Sequence, residues 1–267
     1  MLPLAKSGMK MEKNKKQIID IFEANVKGQI PDLSGYNENH DGAEGHWLEK
    51  KMGIPPNSNN EADLLGYEMK KPTKKKTSYG DWSSDVALWN KKNKPYPEIS
   101  VLHRDNEFLK YFGSPNPLKE NRLSWSGRPV PKVGSYNEFG QILRVDADDN
   151  IVAYYSFSKD PRPNKGALIP TALCREDLIL AKWTKGWLLT KLENKFNDIG
   201  WFKCYKNNAG QYTEIGFGNP FTYSEWIGLV KRGIVYFDSA MTEGNSRQYA
   251  MWRANNSHWE SLIIEKY

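Results

Sequence analysis

Apolar positions recur along this chain with periods that predict separate elements. Ile18, Ile19, Phe22 and Val26 follow the three- and four-residue spacing of an amphipathic helix starting at Asn14, and Gly28 with Pro31 behind it supplies the stop. Residues 1–13 show no such period and are expected to fray. In AEGHWLEKKMG, Ala43 sits one turn from Trp47 and Leu48 one turn from Met52; Gly53, Pro55 and Pro56 then end a second, short helix. Tyr67 and Met69 alternate with Glu68 and Lys70, the two-residue period of a strand.

Farther along, Ile142 to Val145 and Ile151 to Phe157 flank DADDN as one hairpin, and Trp201 to Tyr205 and Tyr212 to Phe217 flank NNAG as another. Thr184 to Phe196 reads as a helix. Thr222-Tyr-Ser-Glu225 is a capping box for a helix closing at Gly233, and Ile234 to Asp238 is strand-like. Between Lys71 and Ser135 the chain is rich in Pro, Ser, Asn and Lys and predicts long loops, with one strand at Glu98 to His103 and isolated Trp82, Trp89 and Trp125. Loops of that length are usually functional. No repeat or low-complexity linker marks a boundary. The expectation is one elaborated domain over 14–267, with a catalytic lobe at about 14–110 plus 135–160 and a recognition lobe at about 165–267.

Composition narrows the class. With 39% hydrophobic and 13% aromatic residues, the 267-residue chain can build a core, and it has no apolar run long enough to span a bilayer. The first sixteen residues carry five lysines without an apolar run, which does not suit a secretory leader, so a cytoplasmic location is expected. Cys174 and Cys204 are too few for a disulfide framework and read as buried thiols. The four histidines have no zinc-site spacing, and the tryptophans fall mostly at apolar positions, where core packing is the simpler account. A net charge of +6 suggests an anionic partner without naming it.

Chemistry concentrates between Glu49 and Lys70. On a strand, Glu68 and Lys70 leave the same face with Cα atoms about 6.5 Å apart. Asp63, just before the Leu64-Leu65-Gly66 bend, can fold back beside Glu68. Two carboxylates converging with a backbone carbonyl suit Mg²⁺, and a neighbouring lysine can hold or deprotonate a water, which are the parts of metal-assisted phosphodiester hydrolysis. Taken alone, an Asp, Glu and Lys at this spacing also describe a solvent-facing strand edge.

The segment GHWLEKKMGIPPNSNNEADLLGYEMKK resembles the active-site segment of MutH-type restriction endonucleases, the LlaMI/MvaI/BcnI group of the PD-(D/E)xK superfamily: a helix glutamate, a loop, then an aspartate and a Glu-x-Lys strand. The resemblance implies a mixed α/β (α+β) PD-(D/E)xK core carrying long DNA-reading loops. It implies Glu49, Asp63, Glu68 and Lys70 as the catalytic set, with Asp63 and Glu68 binding Mg²⁺, Lys70 positioning or activating water, and Glu49 in support. A weaker similarity over NSRQYAMWRANNSHWESLI points to Arg247, Tyr249 and Arg253 as DNA contacts. Lys74, Lys75 and Lys76, which leave the Glu-x-Lys strand directly, are phosphate-contact candidates, and Arg122 and Arg128 bracket Trp125 in a segment suited to a groove-entering loop. For each arginine the alternative is an ordinary surface or capping role. The implied activity is a Type II restriction endonuclease acting on double-stranded DNA, as a monomer cutting the strands in turn, with a cognate DNA methyltransferase as genetic partner. The alternatives are a MutH-like repair nickase and a non-catalytic sequence-specific DNA-binding protein.

Overall fold

The computed structural model describes residues 3–35, 42–55, 60–71, 73–196 and 199–267. In chain order its regular elements are α1 (Pro3–Asn25), α2 (Ala43–Lys51), β1 (Tyr67–Lys70), β2 (Lys76–Asp81), β3 (Val86–Ala87), a π-helical turn (Arg104–Phe108) running into α3 (Leu109–Phe112), β4 (Ser114–Asn116), β5 (Arg122–Ser126), β6 (Gln141–Val145) and β7 (Ile151–Tyr155). There follow α4 (Lys165–Leu168), β8 (Leu178–Trp183), α5 (Lys185–Phe196), β9 (Gly200–Lys206), β10 (Tyr212–Gly218), α6 (Tyr223–Lys231), β11 (Tyr236–Thr242), β12 (Ala250–Asn255), α7 (Asn256–Ser261) and β13 (Ile263–Lys266). No helix among the described residues is long and apolar enough to cross a membrane.

The chain forms two compact units. The first comprises residues 1–77, 191–222 and 255–267, the second 78–190 and 223–254. The first is built on a four-stranded sheet in the order β1-β9-β10-β13. β1 runs parallel to β9, with Glu68 opposite Trp201 and Lys70 opposite Lys203. The stripe that defines α1, Ile18, Phe22 and Val26, packs with Trp47, Leu48 and Met52 around α2 against Tyr67 and Met69 of β1 and Phe202 and Phe217 of β9 and β10. The apolar face of β1 is therefore buried, and Glu68 and Lys70 alternate onto the other face.

The second unit holds a five-stranded sheet, β2-β12-β11-β5-β4, and a four-stranded one, β3-β8-β7-β6. Its core contains a cluster of indoles. Trp82, Trp226, Trp252, Trp183 and Phe237 meet in successive contacts with ring centroids 4.8–5.7 Å apart, mostly edge to face, the geometry aromatic quadrupoles favour.

Both expected hairpins, the strand at β1 and the helices at α2, α5 and α6 form. Several expectations need correction. Residues 1–13 do not fray as a whole: α1 begins at Pro3, because Ala, Lys, Met and Glu are good helix formers and extend the helix without an apolar face. Glu98 to His103 forms no strand. Within the stretch read as loop, β2, β4 and β5 form instead, short and partly polar strands: β2 is held by β12 and β5 by β11, both distant in sequence, while β4 pairs locally with β5. Arg122 to Ser126 is thus an inner strand with Trp125 buried, not a groove-entering loop. Cys204 is buried, but Cys174 is only half-buried.

Candidate active site

β1 is entered through a two-residue turn. Leu64 and Tyr67 exchange both backbone hydrogen bonds, at 3.0 and 2.8 Å. Between them Leu65 and Gly66 have φ of 51° and 85°, the left-handed pair of a type I′ turn. Gly66 meets that requirement freely, whereas Leu65 adopts it at a cost of about 1–2 kcal/mol. Its side chain packs against the core cluster, which offsets the strain. Residues flanking such a turn stand opposite each other, so Asp63 faces Glu68 across the hairpin. The Asp63 carboxylate is fixed there by accepting the Met69 N–H at 2.9 Å.

Glu68 is gripped from two directions. Its Oε1 accepts from Lys70 Nζ at 3.0 Å and from Lys195 Nζ at 2.6 Å. Lys195 comes from the last turn of α5, to which the chain just ahead of Asp63 is tied: Asn60 Nδ2 donates to the Lys191 carbonyl at 2.7 Å and Ala62 N to that of Asn194 at 3.1 Å. The second bond also satisfies a carbonyl in the last turn of the helix that would otherwise lack a partner. Lys70 is buried with its ammonium 4.6 Å from the Phe196 ring centre and 5.4 Å from that of Trp259, a cation–π setting.

Two carboxylates and two ammoniums so confined perturb one another. Burial, then the charge of Glu68, pushes the Asp63 carboxyl up to about 6. Burial acts the same way on Glu68, but the ammoniums of Lys70 and Lys195 outweigh it and hold Glu68 below the ordinary carboxylate range. Burial brings Lys70 down to about 8, against the pull of Glu68. Glu68 is therefore ionised at neutral pH, and Lys70 lies close enough to neutrality to exchange a proton.

The donor set fits a hard divalent cation. Glu68 Oε2 is buried without a hydrogen-bond partner, and an orphaned carboxylate oxygen in that position is a strong electrostatic demand for a cation. Asp63 faces it with a carboxyl raised by burial and by the charge of Glu68. Among the described residues no group of three or more His, Cys, Asp or Glu comes together as a metal cluster, so the cation would keep several waters, as Mg²⁺ does.

The other sequence candidates divide. Glu49, on α2, ion-pairs with Lys71 at 2.7 Å and with His46 at 3.1 Å, which brings it to the exit of β1 but not among the partners of Asp63 and Glu68. Lys74 and Lys75 are exposed and Lys76, which opens β2, is half-buried. The arginines all lie in the second unit. Arg122 is spent on structure, donating to the Glu243 carbonyl at 3.0 Å and to Asn245 Oδ1 at 3.2 Å. Arg128 pairs with Glu138. Arg253 lies 3.1 Å from Asp238. Arg247, 68% exposed, reaches Asp81 at 2.8 Å and stacks over the exposed Tyr249 ring at 4.9 Å. Sequence reasoning missed Lys195: it follows the buried stripe Leu188, Leu192 and Phe196 as an ordinary charged helix position, with nothing local to say that it meets Glu68.

Comparison with known proteins gives a consistent picture. The profile of the LlaMI restriction endonuclease family matches residues 26–267. Type II restriction enzyme ScrFI of Lactococcus lactis subsp. cremoris is 47% identical over 270 residues, spanning 96% of this chain and 99% of that protein. Among solved structures, restriction endonuclease MvaI in complex with its cognate DNA substrate superposes with a TM-score of 0.56 at 10% identity, covering 96% of this chain and 97% of that one. At that identity the likeness concerns the fold, which is the mixed α/β architecture expected from the sequence.

Proposed function

The chain belongs to the LlaMI restriction endonuclease family, and from that membership we propose a Type II enzyme that hydrolyses phosphodiester bonds at a short sequence in double-stranded DNA through Asp63, Glu68 and Lys70. The observation that carries the assignment of the site is the Leu64–Tyr67 turn, which sets Asp63 opposite Glu68 with Lys70 in ionic contact two residues on.

Asp63 and Glu68 would hold the divalent cation, for which we propose Mg²⁺. Bound there, it supplies Lewis-acid polarisation of the phosphate and lowers the pKa of water. The chain's own groups do the rest. Glu68, kept ionised by two ammoniums, offers a ready anion. Lys70, its pKa brought down to about 8, can accept a proton from the attacking water or meet the charge that builds on the phosphate oxygens. The aromatic bed of Phe196 and Trp259 restricts the Lys70 amine to the Glu68 side of the strand. Glu49 acts indirectly, by holding Lys71 at the end of β1. Lys74, Lys75 and Lys76 serve phosphates; Arg247, Tyr249 and Arg253 serve recognition. The enzyme works in the cytoplasm as a monomer that cuts the strands in turn, alongside a methyltransferase that protects the same sequence.

The test is digestion of a supercoiled plasmid of known sequence with Mg²⁺, followed by sequencing of the ends. Linear product with fixed ends is expected; arrest at the open circle would instead mark a nickase, and specific binding without cleavage a DNA-binding protein. Glu68→Ala and Lys70→Ala should each abolish cutting while leaving duplex binding. Full activity in either variant sinks the assignment.

A further inference from the structure

The second unit contains a cavity of about 320 Å³ that none of the catalytic residues lines. Its inner wall is aromatic. Trp125 and Trp183 are almost fully buried, and Phe237 lies between them with ring centroids 5.4 and 4.8 Å away. These rings are locked by directed bonds, Trp125 Nε1 to Gln141 Oε1 at 2.7 Å and Trp183 Nε1 to the Trp82 carbonyl at 2.8 Å. Half-buried Trp89 continues the wall, 5.8 Å from Trp125. Near the rim stand Tyr249, 41% exposed, and Gln248, whose side-chain amide has no partner among the described residues. Lys91 also lines the cavity and is exposed, and Arg247 stacks on Tyr249.

A preorganised aromatic wall, an uncommitted amide with both donor and acceptor, and cations beside the mouth are the parts needed to hold one flat heteroaromatic ring attached to a phosphate backbone. The volume is at the small end of the roughly 300–1,000 Å³ of small-molecule pockets, so a single base fits the scale better than a larger ligand. The accessible faces of half-buried Trp89 and exposed Tyr249 can stack a base above the buried floor of Trp125, Trp183 and Phe237, the amide can read its hydrogen-bonding edge, and the cations can meet the flanking phosphates. We propose that this cavity receives one nucleobase turned out of the duplex when the enzyme engages its site. The proposal rests on the restriction-endonuclease reading, since the duplex supplies the base.

The experiment uses the full-length enzyme and a duplex fragment that it cleaves, held uncut with Ca²⁺ in place of Mg²⁺, with a single mismatched pair moved through the site. Unpairing costs a few kcal/mol, so a mismatch at the extruded position should tighten binding by about tenfold or more, while mismatches elsewhere weaken it or leave it unchanged. Tyr249→Ala and Gln248→Ala alter rim side chains and should erase that gain. A 2-aminopurine at the same position should change its emission on binding to the wild type and not to Tyr249→Ala. A scan in which no mismatch tightens binding, or a gain untouched by both variants, overturns the proposal. Cleavage with a flat mismatch profile rejects the cavity assignment alone, whereas a chain that cleaves no duplex at any fixed position rejects the restriction reading together with it.

Discussion

Replacing Asp63 with asparagine separates the charge of the site from its shape. The amide retains an oxygen for the Met69 N–H, held at 2.9 Å by the carboxylate, and removes the negative charge that burial and Glu68 disfavour. The rise of the Asp63 carboxyl from its ordinary 3.8 to about 6 corresponds, at about 1.36 kcal/mol per pH unit, to about 3 kcal/mol that ionisation costs the metal-free fold. Because the folded value is raised, the stability contributed by the protonated group is complete below the ordinary value and is lost as pH rises through about 6. Thermal melts in EDTA should therefore show Asp63→Asn equal to wild type near about pH 4 and more stable above about pH 6, by ~6–12 °C for a chain of this size. Mg²⁺ should narrow the gap by raising the wild type alone, and the variant should not cleave. Equal gaps at acid and alkaline pH, or a variant less stable than wild type at about pH 8, would refute the reasoning that an under-compensated carboxylate sits at Asp63.

Lys195→Met removes one of the two ammoniums on Glu68, 2.6 Å away and largely buried; metal-free melts should fall by the equivalent of roughly 3 kcal/mol, and added Mg²⁺ should recover more of the loss than it adds to the wild type. Unchanged melts and metal response would show that Lys195 is incidental. Replacing exposed Lys74 and Lys75 together by alanine should lower the slope of log affinity against log salt by about 2, at ~0.9 for each lost phosphate contact; an unchanged slope excludes them from the DNA path. Arg122→Ala, which loses bonds to the Glu243 carbonyl and Asn245, should cost about 1–3 kcal/mol of stability without altering duplex affinity, and a selective loss of binding would restore Arg122 as a DNA contact.

The cluster was legible where it is local. Asp63, Leu64, Leu65, Gly66, Tyr67 and Glu68 form one tight turn, and two-residue hairpin geometry puts the flanking carboxylates opposite each other. The alternation of Tyr67 and Met69 with Glu68 and Lys70 likewise told which side chains share the apolar face, though not that the charged face is buried as well. The elements with strong periods, β6 with β7, β9 with β10, and α5, were legible for the same reason.

What depended on partners far away in sequence was not legible. β5 reads as loop because its residues are only partly apolar, and it is a strand because β11, over a hundred residues later, offers an open edge whose backbone groups must be satisfied. The pairing of the Arg122 guanidinium with the carbonyl of Glu243, and of Glu49, expected in support of the catalytic set, with Lys71, could not be read from their local sequence. Lys195 entered the site because α5 ends beside β1. The sequence by itself determined the turn, the strand and the chemical types of the central carboxylates and lysine, since covalent spacing fixes what neighbours can touch. Only the tertiary structure decided which charges compensate them, because ion pairs and strand pairing are chosen by three-dimensional proximity and burial, which no local pattern encodes.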